Sequence, residues 1–344
     1  MSELSRRQFL QGTGGAITLT TTGVAGCLGG GGLDELHVAY MPIYPDMQYF
    51  QMEQEGYLDD LGVPVRSSQF SDGPSIVQAY ASGDFDVALF GVLPAQVLVD
   101  KGVPAKAVAA NDENSVGIFT TKSFAARFHA EGADAFASFE REHGRKFTFG
   151  TFPSGSVPDI LLRYWLREEL GLSVEDAVDV VYMGAGKVRQ ALLAGEIDGT
   201  SLLPPIPTIA QMHDAPYTLL VEAASFVPGG QPSALVLMRD DLRSKHRDVA
   251  RSFLRTHLKA TRFINEHPHQ AAANASAVIG ENVLPEDVAL KALQSPLEEY
   301  ISDPHEIAEG SKIYSRYGAR LGKLDAAVST DDLFDFSLYD EVTG

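Results

Sequence analysis

Ser154, Gly155 and Ser156 stand directly before Val157-Pro158, where an apolar helical pattern begins. The first N–H groups of a helix lack intrahelical acceptors and attract anions or carbonyl oxygens. Gly155 lets backbone approach closely, and the two hydroxyls add donors. Either serine can instead cap its own helix, and the two roles can coexist. One helix terminus contributes about 0.3–1 kcal/mol, up to about 2 when partly buried. Micromolar binding needs about 8 kcal/mol, so other elements must supply the rest.

Other patterns offer less chemistry. Gly184-Ala185-Gly186-Lys187-Val188 is no P-loop, because Val181 stands where the first glycine belongs and Val188 replaces Ser/Thr. No G-x-S-x-G elbow occurs. His267-Pro268-His269 is too thin a ligand set and reads as a helix boundary, so no metal site and no cofactor is expected. Trp165 sits on an apolar helix face and reads as core, and the Asn274-Ala275-Ser276 sequon falls on a helical stretch where glycan attachment is not expected.

A chain of 344 residues exceeds what one core comfortably supports, and 44% hydrophobic residues rule out global disorder. The formal charge of −19 argues against a nucleic-acid partner, which needs a basic face. It also suits solubility at high salt, as in halophiles. The single cysteine, Cys27, excludes an internal disulfide framework.

Ser5-Arg6-Arg7-Gln8-Phe9-Leu10 resembles a twin-arginine export signal. A weakly apolar Gly/Ala/Thr stretch follows, too short and polar for a permanent span. Val24-Ala25-Gly26-Cys27 reads as a lipobox, with Cys27 as the lipidation site. The expected organisation is a signal over 1–27 and a Gly-rich tether over 28–34. The chain is then extracytoplasmic, exported by the twin-arginine route and lipid-anchored to the outer face of the membrane.

The body alternates strands and helices, which implies an α/β fold with largely parallel sheets. Strands are expected at 35–42, 63–70, 86–91, 105–111, 115–122, 146–152, 178–183, 197–203 and 232–239. Helices are expected at 46–58, from 71, at 157–169 and 186–194, then at 246–266, 268–279, 285–300 and 304–322. The acidic tail from Ser329 reads as a surface loop. An internal echo sets 71–90 over 183–202 at a constant offset: Gln78-Ala79 over Gln190-Ala191, Gly83 over Gly195, Asp86 over Asp198. Two similar units imply two lobes, each presenting loops at the carboxyl ends of its strands.

These segments resemble the nitrate/sulfonate/taurine group of ABC-importer solute-binding proteins. The resemblance rests on HVAYMP, EQEGYLDDLGVPV, AYASGDFDVALFGVLPA and KGVPAKAVAA, then KFTFGTFPSGSVPDILLRYWLREELGL and VVYMGAGKVRQALLAGEIDG. It implies a type II periplasmic-binding-protein fold, two α/β lobes joined by two hinge strands with a helical C-terminal part. The lobes fall at 35–118 plus 230–344 and at 119–229, with crossings near 115–122 and 228–236. It further implies a small-molecule ligand, an ABC permease with its ATPase as partners, a monomer, and no catalysis. The ligand-binding candidates are Pro42, Tyr44, Ser71, Asp72, Gly73, Gly91, Leu93, Asn114, Ser154, Gly155, Ser156 and Met183. Tyr44 could stack on a flat ligand or sit at the rim.

Leu203-Pro204-Pro205 stands where many members carry an acidic or aromatic residue before proline. No His or Lys falls in the candidate loops, although Lys187 and Arg189 are close in sequence. Asp46 and Asp72 would repel an anion. An organic sulfonate, a neutral heterocycle or a thiamine-precursor-like solute remains open. The rival reading is an enzyme on the same fold, such as a thiamine-pyrimidine synthase-like protein. Such relatives carry a Cys-rich motif, and here the one Cys is assigned to lipid.

Overall fold

Eleven strands form two sheets in the computed structural model, which describes residues 32–344. The expected export signal, Cys27 and the first part of the expected tether lie outside the described residues. The strands are β1 (Leu36–Tyr40), β2 (Val65–Gln69), β3 (Val87–Gly91), β4 (Ala105–Glu113), β5 (Gly117–Thr121) and β6 (Phe147–Thr151). They continue as β7 (Val178–Tyr182), β8 (Gly199–Leu202), β9 (Tyr217–Glu222), β10 (Pro232–Arg239) and β11 (Glu299–Tyr300). The first sheet runs β2-β1-β3-β10-β4-β11 and the second β7-β6-β8-β5-β9. In both, a parallel trio meets an antiparallel strand from across the molecule: β10 beside β3, β5 beside β8.

The echo is structural. The helix Gly73–Ala81 leads to β3 as the helix Ala185–Ala194 leads to β8. Gly83 and Gly195 take left-handed φ of 99° and 67°, which glycine adopts without strain, and turn the chain from helix to strand. Asp86 then accepts the His37 N–H through Oδ2 at 2.9 Å, and Asp198 accepts the Thr148 N–H likewise at 2.9 Å. In each lobe the aspartate N–H returns to the carbonyl of that same partner.

Apolar residues cover both faces of the first sheet. Val38, Leu89, Val236, Phe253 and Leu254 pack on one side; Ala39, Phe90, Leu235 and Leu237 pack on the other. The second lobe is built round aromatic rings, among them Phe124 and Phe147 with centroids 4.1 Å apart, and Trp165 lies in this core.

The structure differs from expectation in several places. β9 and the helices Lys122–Glu131 and Asp134–His143 were not foreseen. The expected helix at 285–300 is only Glu286–Leu293, after which Tyr300 pairs with Asp112 in β11. The acidic tail is no surface loop. It forms the short helices Thr330–Leu333 and Ser337–Thr343, buries Leu333, Phe334 and Leu338, and bridges Ala107 through Phe334. The first crossing narrows to 114–116, because β5 already pairs within the second sheet. The second runs through 223–231. Asn274 is buried, its amide donating to Gln51 Oε1 and Glu55 Oε1 at 2.8 and 2.7 Å. No helix among the described residues is long and apolar enough to cross a membrane.

Candidate ligand-binding cleft

The carboxyl ends of β1 and β3 face those of β6 and β8 across a cleft. A cavity of about 30 Å³, within a void of about 370 Å³ reaching the mouth, is walled by Met41, Ile43, Pro45, Gly73, Gly91, Pro94, Ser233 and Ala234 from one side. Phe152, Ser156, Val157, Pro158 and Leu203 close it from the other. The walls meet tightly: a methyl placed on Gly91 would come within 3.2 Å of Val157 Cγ2. A second cavity of about 150 Å³ is lined by Pro42, Gln69, Ala185, Gly186, Arg189, Pro205, Ile206, Ile209, Ile279 and Val283.

Of the sequence candidates, Gly73, Gly91 and Ser156 line the first cavity and Pro42 the second. Ser71 faces Gly184 across the cleft, a methyl on the glycine lying 3.8 Å from its Cβ. Ser71 Oγ donates to Asp72 Oδ2, and Asp72 Oδ1 caps the helix Gly73–Ala81 by accepting the Ser75 N–H at 2.9 Å. Pro74 occupies the first turn.

Four candidates do other work. Tyr44 is fully buried and its hydroxyl donates to the Ala289 carbonyl at 2.6 Å, so it neither stacks on a ligand nor sits at a rim. Leu93 is fully buried, facing Gly318. Met183 packs its methyl against Gly150. Asn114 stitches the crossings together: Gln231 N donates to its Oδ1 at 3.1 Å, and its own N–H donates to the Gln231 carbonyl at 2.7 Å.

In the Ser154-Gly155-Ser156 loop, Ser156 Oγ caps the helix Val157–Tyr164 by accepting the Asp159 N–H at 3.4 Å. Gly155, at φ 91°, donates its N–H to Asp159 Oδ2 at 2.9 Å. Asp159 is fully buried and also accepts from Arg163 Nε and the Tyr182 hydroxyl, each at 3.0 Å. The helix terminus therefore already holds an anion, the carboxylate of its own first turn. Ser154 lies beside Tyr182.

A similar arrangement lies beneath the first lobe's wall. Met41 donates its N–H to Asp46 Oδ2 at 2.7 Å, and Ala234 donates to Asp112 Oδ1 at 3.0 Å. Burial pushes the Asp46 carboxyl well above its usual range and Asp112 up to about 7. Glu298 is raised well above its usual range by burial and then by the charge of Asp112. Asp112 Oδ2 and both Glu298 oxygens have no hydrogen-bond partner among the described residues. Ser233 accepts from Gln231 Nε2 at 2.8 Å and meets the Ser115 hydroxyl. Among the described residues, no group of three His, Cys, Asp or Glu could hold a metal ion.

Sequence reasoning missed Met41, Ile43, Pro45, Phe152, Val157 and Leu203 as wall residues, since each reads as ordinary core. Leu203 carried a signal, the apolar residue standing before Pro204 where an acidic or aromatic one was expected.

A model of the NMT1-like family matches residues 29–280. No curated protein matches the chain in sequence. Among solved structures, the periplasmic nitrate-binding protein NrtA of Synechocystis PCC 6803 superposes with a TM-score of 0.75 at 15% identity, over 90% of this chain and 88% of its own. The alkanesulfonate-binding protein SsuA of Xanthomonas axonopodis pv. citri, bound to MOPS, gives 0.71 at 14% identity, over 88% and 99%. The aliphatic sulphonate binding protein SsuA of Escherichia coli gives 0.69 at 16%, over 90% and 99%. At these identities the likeness establishes a shared fold, that of periplasmic binding proteins.

Proposed function

The chain belongs to the NMT1-like family, and from that premise we propose that it is the solute-binding component of an ABC importer. It captures one small solute between two lobes and delivers it to a permease and its ATPase. The observation that carries this reading is a cavity walled by residues of both lobes, where a molecule is held by two bodies rather than by one surface. The two lobes hinge at the two crossings, 114–116 and 223–231. The lining supports binding without turnover: its two hydroxyls, Ser156 and Ser233, are engaged with the helix terminus and with Gln231.

The protein works outside the membrane as a monomer, tethered by lipid on Cys27 after twin-arginine export. The acidic balance suits a salt-rich exterior. Two measurements test the proposal. A thermal-shift screen of small solutes is expected to yield at least one that raises Tm, with no product formed from it; turnover of that solute overturns the reading. Cys27→Ser is expected to move the protein from the membrane fraction to the medium. Retention in membranes removes the anchor.

A further inference from the structure

We infer that the solute is uncharged, an apolar body with a small hydrogen-bonding edge, and not an inorganic or sulfonate anion; this rests on the solute-binding reading above. The first argument is the lining. Met41, Ile43, Pro45, Phe152, Val157 and Leu203 form an apolar wall, with no Lys, Arg or His on it. Ser156 and Ser233 are the cavity's two hydroxyls, so it offers a narrow polar edge and no counter-charge. An ion enclosed there gives up its water with nothing in return.

The second argument is where the backbone donors go. Met41 and Ala234 on the wall, and Gly155 in the loop before the helix Val157–Tyr164, each carry an amide near the cleft. Each donates instead to a buried carboxylate of this chain: Asp46, Asp112 and Asp159. Among the described residues Asp46 and Asp112 have no ion-pair partner, and Glu298 adds a third unpaired carboxyl. At these three positions an entering anion meets donors that are already occupied. A cation finds no carboxylate on the wall itself, since all three lie behind it. Charge of either sign is thus unrewarded. Arg189 lines the separate second cavity, and Lys323 lies against Gly155 rather than on the wall of the first.

The test is a titration of the full chain in detergent with a series sharing one ring: benzamide, benzenesulfonate and benzylammonium, together with nitrate and ethanesulfonate. Benzamide is expected to bind about tenfold or more tighter than its charged counterparts. Tightest binding by nitrate or either sulfonate overturns the inference, whether or not Arg189→Gln removes it, and leaves the importer reading standing. Tightest binding by benzylammonium does the same. If no probe binds, the chain is dialysed against cell extract, and the solute released on denaturation is identified by mass spectrometry. A neutral solute supports the inference and a charged one overturns it. Retention of no solute counts against the solute-binding reading instead.

Discussion

Asp159 decides what the Ser154-Gly155-Ser156 loop can do. Its carboxylate, itself fully buried, satisfies the Gly155 N–H, Arg163 and Tyr182 at once. Asp159→Ala leaves Arg163 with Glu175 and the Tyr182 hydroxyl as partners and unpairs the Gly155 N–H, and is expected to cost about 2 kcal/mol in urea denaturation. The same variant should gain a nitrate-dependent rise in Tm that the wild type lacks; equal nitrate response in both would refute the claim that Asp159 occupies the anion position. Asp112 makes a prediction about pH. Its folded pKa of about 7 lies above the usual carboxylate value, so the native chain keeps a proton the unfolded chain has lost. Stability from this group is therefore full at low pH, falls as pH rises from about 4 to 7, and stays low above. Its neighbours are Glu113, Glu298, Ser115, Ser233 and the Ala234 amide, with Asp46 coupled to it. His257, held neutral by burial with its pKa near 3, acts in the opposite sense below about pH 6.5. Asp112→Asn keeps an oxygen for Ala234 and should raise Tm at pH 8 relative to wild type, with a smaller gain at pH 5. A Tm difference independent of pH would show that Asp112 does not titrate in this range. At this scale the sequence was legible by position more than by direction. Pro42 and Tyr44 were marked after the first strand, but Met41, Ile43 and Pro45 face the cavity. These three continue the alternation of Ala39, so the segment was marked correctly but in the opposite register, which a sequence that is apolar on both faces does not distinguish.

The repeated helix-to-strand unit was the most legible element, because its physical requirements are local. A left-handed glycine must end the helix, and an aspartate must hold the neighbouring strand's N–H. These requirements force the Q-A-x-x-x-G-x-x-D spacing twice. Removing the acceptor in either copy leaves a half-buried N–H unpaired. Asp86→Ala is expected to cost about 1–2 kcal/mol, and Asp198→Ala somewhat more, since Asp198 also takes Arg145 Nη2 at 2.8 Å. Native-state hydrogen exchange should show the His37 amide deprotected in the first variant and the Thr148 amide in the second, each leaving the other lobe unchanged. Deprotection spread evenly over both lobes would mean that the bracket is not a local strand lock. The elements that escaped the sequence reading lack such a signature. Lys122–Glu131 and Asp134–His143 bury Phe124, Phe136 and Phe139, with Phe128 packed beside them against Trp165, while most of their remaining positions are charged or small. The tail's Leu333, Phe334 and Leu338 are three apolar residues in an acidic run, and only the shape of the first lobe tells where they dock.

At the scale of the whole molecule, two short passages carry everything that couples the lobes through the backbone. Asn114 and Gln231 bind these passages to one another by both backbone groups of Gln231, and the Gln231 side chain accepts the Val116 N–H at 2.9 Å. Asn114 sits at φ 63°, a conformation asparagine tolerates better than most residues, and its Nδ2 reaches Glu299 at 3.1 Å. The stitch lies next to Ser115 and Ser233, hence next to the cavity, so a rotation of one lobe must pass through it. Packing across the cleft adds a second tie: Tyr317 donates to the Arg163 carbonyl at 3.2 Å, and Arg320 pairs with Glu168. Asn114→Ala removes the side-chain half of the stitch and adds about 1 kcal/mol of backbone strain, while leaving the Tyr317 tie intact. Since Cys27 is the chain's single cysteine, Cys27→Ser with Asp59→Cys and Asp179→Cys places one spin label on each lobe. The distance distribution between them is expected to be narrow in this background, and broader and longer in the further Asn114→Ala variant, with ligand restoring the narrow distribution. An unchanged distribution would mean that the lobes are held by packing across the cleft, such as the Tyr317 and Arg320 contacts and the Lys291–Met212 contact. The hinge would then have to be sought at the seam between the helices Val157–Tyr164 and Pro304–Arg320 rather than at the crossings.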